Sequence, residues 1–154
     1  IVDIYPTLLD ITGSSGPAEK KLDGCSLLPL LKGSTRNAKE ISERSLFFYQ
    51  PLYDIQWGAT PSAAIIRDGY KLIHFFGDYI DLDNGSAYIP EGRTELYRIS
   101  RDIGEKNEIS SEEPERTGKM KKELLDWIIR QGAEIPSLNP SFDINRWNER
   151  SNKK

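Results

Sequence analysis

One cysteine, one histidine and one methionine are all that 154 residues contain of these types, and each scarcity excludes something. The lone thiol, Cys25, closes no internal disulfide and builds no multi-cysteine zinc site; beside Leu27 and Leu28 it reads as small core filling. The lone imidazole, His74, has no second histidine or cysteine to share a metal with, and no Gly-x-Ser-x-Gly elbow accompanies it for a hydrolytic triad. Gly-x-Gly-x-x-Gly and the phosphate-loop pattern are also missing, the glycines being scattered at turns. Charge is nearly balanced, 21 basic against 24 acidic residues for a net of -3, so nothing draws the chain toward a phosphate backbone. The longest apolar runs, such as Ser26 to Leu31, fall far short of the roughly 20 residues that cross a bilayer, and no signal-peptide pattern opens the sequence. Neither nucleic acid nor a membrane is an expected partner.

What is present is a balance of 37% hydrophobic and 29% charged residues, enough for one folded domain with a real core. The chain opens inside an amphipathic pattern, Ile1-Val2-Asp3-Ile4-Tyr5-Pro6, with no initiator methionine, and reads as a piece of something longer. Asp3 is placed to cap a helix whose apolar positions Ile4, Tyr5, Leu8, Leu9 and Ile11 pack on one face, with Gly13 at its exit. A loop over Ser14 to Lys21 leads to a short helical or turn segment, Ser26 to Leu31, closed by Gly33, and Gly33 to Glu43 is polar and exposed. From Ser45 the chemistry turns to strand: Leu46 to Tyr49 run up to Pro51, where ladder pairing stops.

Asp68-Gly69 between two β-prone runs is a two-residue hairpin signature. It sets Arg67 opposite Tyr70, Ile65 opposite Leu72 and Ala63 opposite His74 on one face, so His74 sits at the far end of a strand as a structural or hydrogen-bonded residue, with a substrate contact as the lesser alternative. Gly77 to Arg93 is a long excursion whose Asp78, Asp81, Asp83 and Asn84-Gly85 imitate a calcium loop with the wrong spacing; a turn at Asn84-Gly85 fits better. Glu95 to Ile99 is a further strand, Arg101 to Glu108 a charged turn. Pro114 to Gln131 is a helix with Met120, Leu124, Trp127 and Ile128 along one face and Gly132 as its stop. The adjacent acids Glu112 and Glu113 mark its start rather than a glycosidase pair. The fold class is therefore α+β: an antiparallel sheet of about four strands against a long C-terminal amphipathic helix, preceded by a short N-terminal helix.

Four stretches taken in order carry a resemblance. Asp3-Ile4-Tyr5-Pro6-Thr7-Leu8-Leu9-Asp10, Leu22-Asp23-Gly24-Cys25-Ser26-Leu27-Leu28-Pro29-Leu30-Leu31, Arg67-Asp68-Gly69-Tyr70-Lys71-Leu72-Ile73, and Glu95-Leu96-Tyr97 followed by Asp102-Ile103-Gly104-Glu105-Lys106-Asn107 resemble the C-terminal part of the sulfatases. These are the arylsulfatases and N-sulfoglucosamine sulfohydrolase-like enzymes of the alkaline phosphatase superfamily. The resemblance implies a large N-terminal α/β domain with the catalytic machinery and a smaller C-terminal subdomain, which would be residues 1–140 here, followed by a polar tail at 141–154. It also implies a formylglycine nucleophile, made from the Cys or Ser of a Cys/Ser-x-Pro-x-Arg motif, and a calcium ion on Asp and Asn side chains. Neither transfers to this chain. Cys25 is followed by Ser26-Leu27-Leu28, and Pro114-Glu115-Arg116 has Glu112 in the nucleophile position, so no catalytic and no metal residue is assigned, and both cofactors are expected in the missing domain.

By the same resemblance, Phe48 to Tyr53 approach the mouth of the pocket. Many relatives have histidines there; this chain offers Tyr49, Gln50 and Tyr53, with Asp54 and Gln56 nearby, for hydrogen bonding and ring stacking. The implied function is a subdomain of a sulfuric-ester hydrolase acting on a sulfated carbohydrate or aryl sulfate, inactive alone. Its partners would be the missing α/β domain and, through the cut surface of the first helix and the apolar side of the hairpin, other copies of itself. A periplasmic or secreted location follows from the resemblance only. Two readings stay open beside it: a stand-alone carbohydrate- or protein-binding module with Trp57, Tyr53 and Tyr79 as a stacking surface, and a subdomain of a phosphoester hydrolase of the same superfamily.

Overall fold

The computed structural model describes residues 1–16, 22–34, 39, 41–52, 60–77, 79–81, 85–87, 92–137 and 140–141, and of 79–81 and 85–87 only the backbone. The chain divides into two compact units, Ile1–Arg44 and Ser45–Lys154.

The second unit is the expected sheet and helix. Strands β1 (Leu46–Gln50), β2 (Ser62–Arg67), β3 (Tyr70–Phe75) and β6 (Arg93–Tyr97) form an antiparallel sheet in the order β1-β2-β3-β6. The central hairpin has the register that the sequence dictates, Arg67 opposite Tyr70, Ile65 opposite Leu72 and Ala63 opposite His74. Its turn residues Asp68 and Gly69 both take positive φ, 50° and 77°, as a two-residue loop matched to strand twist requires. Alternation then sends one set of side chains to a common face. Ala63, Ile65, Tyr70, Leu72 and Leu96 are buried there against Met120, Leu124 and Ile128 of helix α3 (Pro114–Arg130). Each fully buried Leu or Ile of this cluster contributes about 1.5–3 kcal/mol relative to exposure. Phe47 of β1 stacks on Trp127 with ring centroids 4.8 Å apart and planes at 4°, extending the contact toward the sheet edge.

Two details differ from expectation. Strand β6 lies two residues earlier than Glu95 to Ile99, because beyond Tyr97 the chain meets the hairpin turn, where Ser100 N–H bonds the Gly69 carbonyl at 3.1 Å and the Arg98 carbonyl closes a turn of its own. The excursion after β3 contains a second, two-stranded ladder, β4 (Tyr79–Asp81) with β5 (Gly85–Ala87), in which Gly85 pairs with Asp81 as a strand residue. The turn expected at Asn84 falls partly outside the described residues. Gly85-Ser86-Ala87 has no β-branched or aromatic residue, so the sequence gives a strand there no signal.

The first unit is built differently. Helix α1 (Ile4–Thr12) ends in left-handed Gly13, as expected, and α2 (Leu28–Leu31) is followed by Gly33 with φ 71°. Asp3 stands at the N-cap position but makes no cap bond. Its carboxylate instead accepts Cys25 N–H at 3.0 Å and both terminal nitrogens of Arg44, the contact from Nη1 being 2.7 Å. Arg44 Nη1 also donates to Cys25 Sγ at 2.8 Å, so the half-buried thiol belongs to a polar cluster and not to an apolar core. Thr7, the one buried residue of α1, accepts Leu27 N–H at 2.9 Å on Oγ1, and Asp10 accepts the Ser26 hydroxyl at 2.6 Å. Asp3, Thr7 and Asp10 thus tie α1 to the 24–28 segment. Gly24 is pressed so closely to this helix start that a Cβ on it would lie 2.1 Å from the Val2 carbonyl oxygen. The expectation that the apolar positions form the packed face holds for Leu9, which is partly buried, and fails for Ile4, Tyr5, Leu8 and Ile11, which are 47–57% exposed.

Candidate functional site

The residues singled out for substrate contact lie at the end of β1. Alternation places Tyr49 and Gln50 on opposite faces of the sheet. Tyr49, opposite Ala63, lies on the α3 side, where its ring meets Phe76 edge-on at 6.1 Å and its hydroxyl donates to the Glu134 carbonyl. Burial and the nearby Glu134 carboxylate push its phenol above the ordinary tyrosine range, so it stays a neutral donor committed to the backbone. Gln50, opposite Ser62, is exposed on the other face, next to Phe48 at 54% exposure and followed by Leu52 at 67%. Tyr53, Asp54, Gln56 and Trp57 lie outside the described residues, as does the side chain of Tyr79. Thr60 and Pro61, which lead into β2, are both buried, with Phe76 N–H bonded to the Pro61 carbonyl at 2.9 Å. A ligand lying on Gln50's face of the sheet meets Gln50 and not the Tyr49 hydroxyl.

His74 belongs to the frame of this strand end. It is 6% exposed, its ring lies edge-on to Phe76 at 4.9 Å, and Nδ1 is 2.9 Å from Thr94 Oγ1 and 3.2 Å from the Arg93 carbonyl. A carbonyl only accepts, so Nδ1 carries the proton. Burial, with Lys121 nearby, lowers its pKa from 6.5 to about 4, which keeps the ring neutral and hydrogen-bonded to the edge strand.

The charged residues pair with one another. Tyr70's hydroxyl accepts from Arg98 Nε at 2.7 Å and donates to Glu113 Oε1 at 3.2 Å, while Glu113 also holds Arg98 Nη2 and Arg116 Nε at 2.9 and 2.6 Å. The Arg116 guanidinium lies 4.1 Å over the Tyr70 ring, so this network clamps the first turn of α3 onto the hairpin. Beside it is an open groove of about 780 Å³ between the β2–β3 turn and α3. Most of its charges are paired, Arg67 with Glu123 and Asp68, Arg116 with Glu113, and Lys119 with Glu115, and Glu112 also lines it. The charged turn expected after β6 is a clasp. Asp102 Oδ2 accepts the backbone N–H groups of Lys106 and Asn107 at 2.8 Å, and Glu108 Oε1 accepts those of Leu96 and Ser110 at 2.9 and 2.6 Å. Glu108 thereby caps the open edge of β6. Among the described residues no group of three His, Cys, Asp or Glu is placed to hold a metal ion.

These geometries describe a scaffold with one exposed strand end, and the similarities to known proteins are of the same kind. Over 145 residues the chain is 31% identical to arylsulfatase K of Mus musculus, covering 92% of this chain and 22% of that protein. Over 156 residues it is 23% identical to steryl-sulfatase of Homo sapiens, covering 95% of this chain and 26% of that one. The chain belongs to the sulfatase family. It spans 19–26% of the length of the curated relatives it matches, which is what a C-terminal subdomain of such a protein would give. No family model matches. The sulfatase-like fold is also seen in a structure solved with its substrate D-glucosamine-2-N,6-O-disulfate, at TM-score 0.56 and 21% identity over 82% of this chain and 23% of that one. A phosphonate monoester hydrolase of Agrobacterium radiobacter aligns at TM-score 0.53 and 21% identity over 83% of this chain and 24% of that one.

Proposed function

We propose that the chain serves as the C-terminal subdomain of a sulfuric-ester hydrolase, and that it frames the entrance to a pocket whose chemistry is performed by a large domain outside these residues. The observation that supports this most strongly is the span of the match, 92% of this chain against 22% of an arylsulfatase. In this reading formylglycine and calcium belong to the large domain: Cys25 lacks the following Pro and Arg. Gln50 and Tyr53 contact the sugar or aryl body of the substrate by hydrogen bonding and stacking. Tyr49 acts as a positioning residue, its bond to the Glu134 carbonyl anchoring the strand end that carries Gln50.

The test compares the complete encoded protein with the 154-residue chain, using an aryl sulfate and a sulfated glucosamine. Turnover by the complete protein alone is expected; turnover by the chain alone contradicts the assignment. The structural likeness to a phosphonate monoester hydrolase supports one alternative, a phosphorus-ester hydrolase of the same superfamily. Preference of the complete protein for an aryl phosphonate over an aryl sulfate would select it.

A further inference from the structure

The groove beside α3 lies at the turn end of the central hairpin, where Arg67 pairs with Tyr70, whereas Ser62, Phe75 and Gln50 pair at the other end. It is separate from the strand end proposed to meet substrate. Five carboxylates and three cations line it, an excess of two negative charges. The excess is accessible: the side chains of Asp68 and Glu115 are 54% and 84% exposed, and Glu112 is exposed and bonded to no cation among the described residues. Hydrogen bonds from Arg116 and Lys119 hold Glu113 and Glu115 below the ordinary carboxylate range, so this charge is present at neutral pH. Pro114 and Met120 add apolar surface to the wall. The same chain carries the complementary chemistry. Residues 145–154 contain Arg146, Arg150, Lys153 and Lys154 against Glu149, a net charge of +3, with Trp147 among them. We propose that this C-terminal segment, which lies outside the described residues, docks in the groove of its own chain, its cations on Asp68, Glu112 and Glu115 and the Trp147 ring against Pro114 and Met120.

Reach and charge select this occupant. Helix α3 has 17 residues and is therefore about 25 Å long. The 13 residues from Phe142 to Lys154 span up to about 43 Å when extended, so a chain that leaves the C-terminal end of α3 can return to its first turns. Exposed ion pairs are individually weak, and a tethered segment meets its site at an effective concentration in the millimolar range, on the order of what so small a contact needs. The groove of a second copy carries the same sign of charge, so two grooves repel when brought face to face, as do phosphate backbones and anionic lipid. A thioether and a proline ring beside carboxylates suit a segment in which an indole stands among cations.

The test is carbodiimide cross-linking of the complete encoded protein at low salt, a readout independent of catalysis and of the sulfatase reading. The reagent joins an amine to a carboxylate only where the two touch. Links from Lys153 or Lys154 to Asp68, Glu112 or Glu115 are located by mass spectrometry and normalised to the Lys122–Asp126 link on α3, whose partners are 2.6 Å apart. The groove links should fall by about fivefold or more in the Arg146→Glu, Arg150→Glu double variant, and likewise at about 1 M salt, where the screening length is about 3 Å. Trp147→Ala should lower them by about twofold or more. Links spread evenly over the exposed carboxylates, unchanged by the double substitution or by salt, overturn the proposal. So do links that join isotopically light to heavy protein in an equal mixture, which would make the occupant a second copy. Groove carboxylates shielded from the reagent without a link to residues 145–154 also overturn it, because another part of the protein then covers them. The salt series uses the unmodified protein, so the test stands should a variant misfold.

Discussion

The two halves of the chain solve the same problem, fixing a helix in place, by opposite means. In residues 45–154 helix α3 buries Met120, Leu124 and Ile128 against a sheet face of Ala63, Ile65, Leu72 and Leu96, and polar clamps lie around that core. In residues 1–44 the clamps are the structure: Asp3 with Arg44 and Cys25, Thr7 with Leu27, Asp10 with Ser26, while apolar side chains of α1 point away. Hydrophobic burial is non-directional and large, so it fixes α3 on its side of the sheet without a polar anchor. Hydrogen bonds have small net value and fix geometry, so α1 is shaped for its place before its apolar face is covered.

The largest expected effect sharpens this contrast. Leu72→Ala or Leu124→Ala, each at a fully buried position, should destabilise the sheet unit by about 2–5 kcal/mol, read as a lower denaturant midpoint. Leu8→Ala, at 54% exposure, should leave the 154-residue chain nearly unchanged. Equal losses would break the comparison.

Next comes pH. His74 titrates near 4 when folded and near 6.5 when free, so between those values the unfolded chain binds a proton that the folded chain excludes. Its contribution is complete above pH 6.5 and is lost as pH falls toward 4, by at most about 3 kcal/mol. Wild type and His74→Gln should therefore converge in stability as pH falls through that window, a difference that urea titrations at pH 7 and pH 4.5 would measure. Parallel curves would mean that the ring is not held neutral by the fold.

A smaller and local effect is expected from the polar anchor. Arg44 holds the Asp3 carboxyl below its ordinary value, and Asp3→Asn should weaken α1 and the 24–28 segment by about 1–3 kcal/mol. Faster amide exchange at Cys25 and Leu27, with α3 unaffected, would show it. Smallest of all, Gln50→Ala in the complete protein should lower kcat/KM by roughly 1–2 kcal/mol through KM. Tyr49→Phe should change thermal stability more than substrate preference, since its hydroxyl is bound to the Glu134 carbonyl.

Much of the sheet unit was legible in the sequence because its signals are local. Asp68-Gly69 fixes the hairpin, alternation fixes its faces, and Met120, Leu124 and Ile128 mark the inner side of α3. What was not legible depends on partners far along the chain. Nothing near Asp3 announces that its carboxylate goes to Arg44 and not to its own helix end, and nothing near Tyr49 points to the Glu134 carbonyl. Helical periodicity located the apolar stripe of α1 but could not say that the stripe faces away from its own unit. The candidate site was legible only as a strand end: strand alternation separates Tyr49 from Gln50, and Tyr53 belongs to the stretch 53–59, outside the described residues.

The most direct measurement is hydrogen exchange on α1 and α3, in the 154-residue chain and in the complete encoded protein. Protection of α3 should be high and equal in both, and protection of residues 4–12 should be low in the chain and rise in the complete protein. If α1 is protected as strongly as α3 in the chain alone, or gains nothing in the complete protein, the contrast between a helix fixed by its own core and a helix made to be covered is wrong.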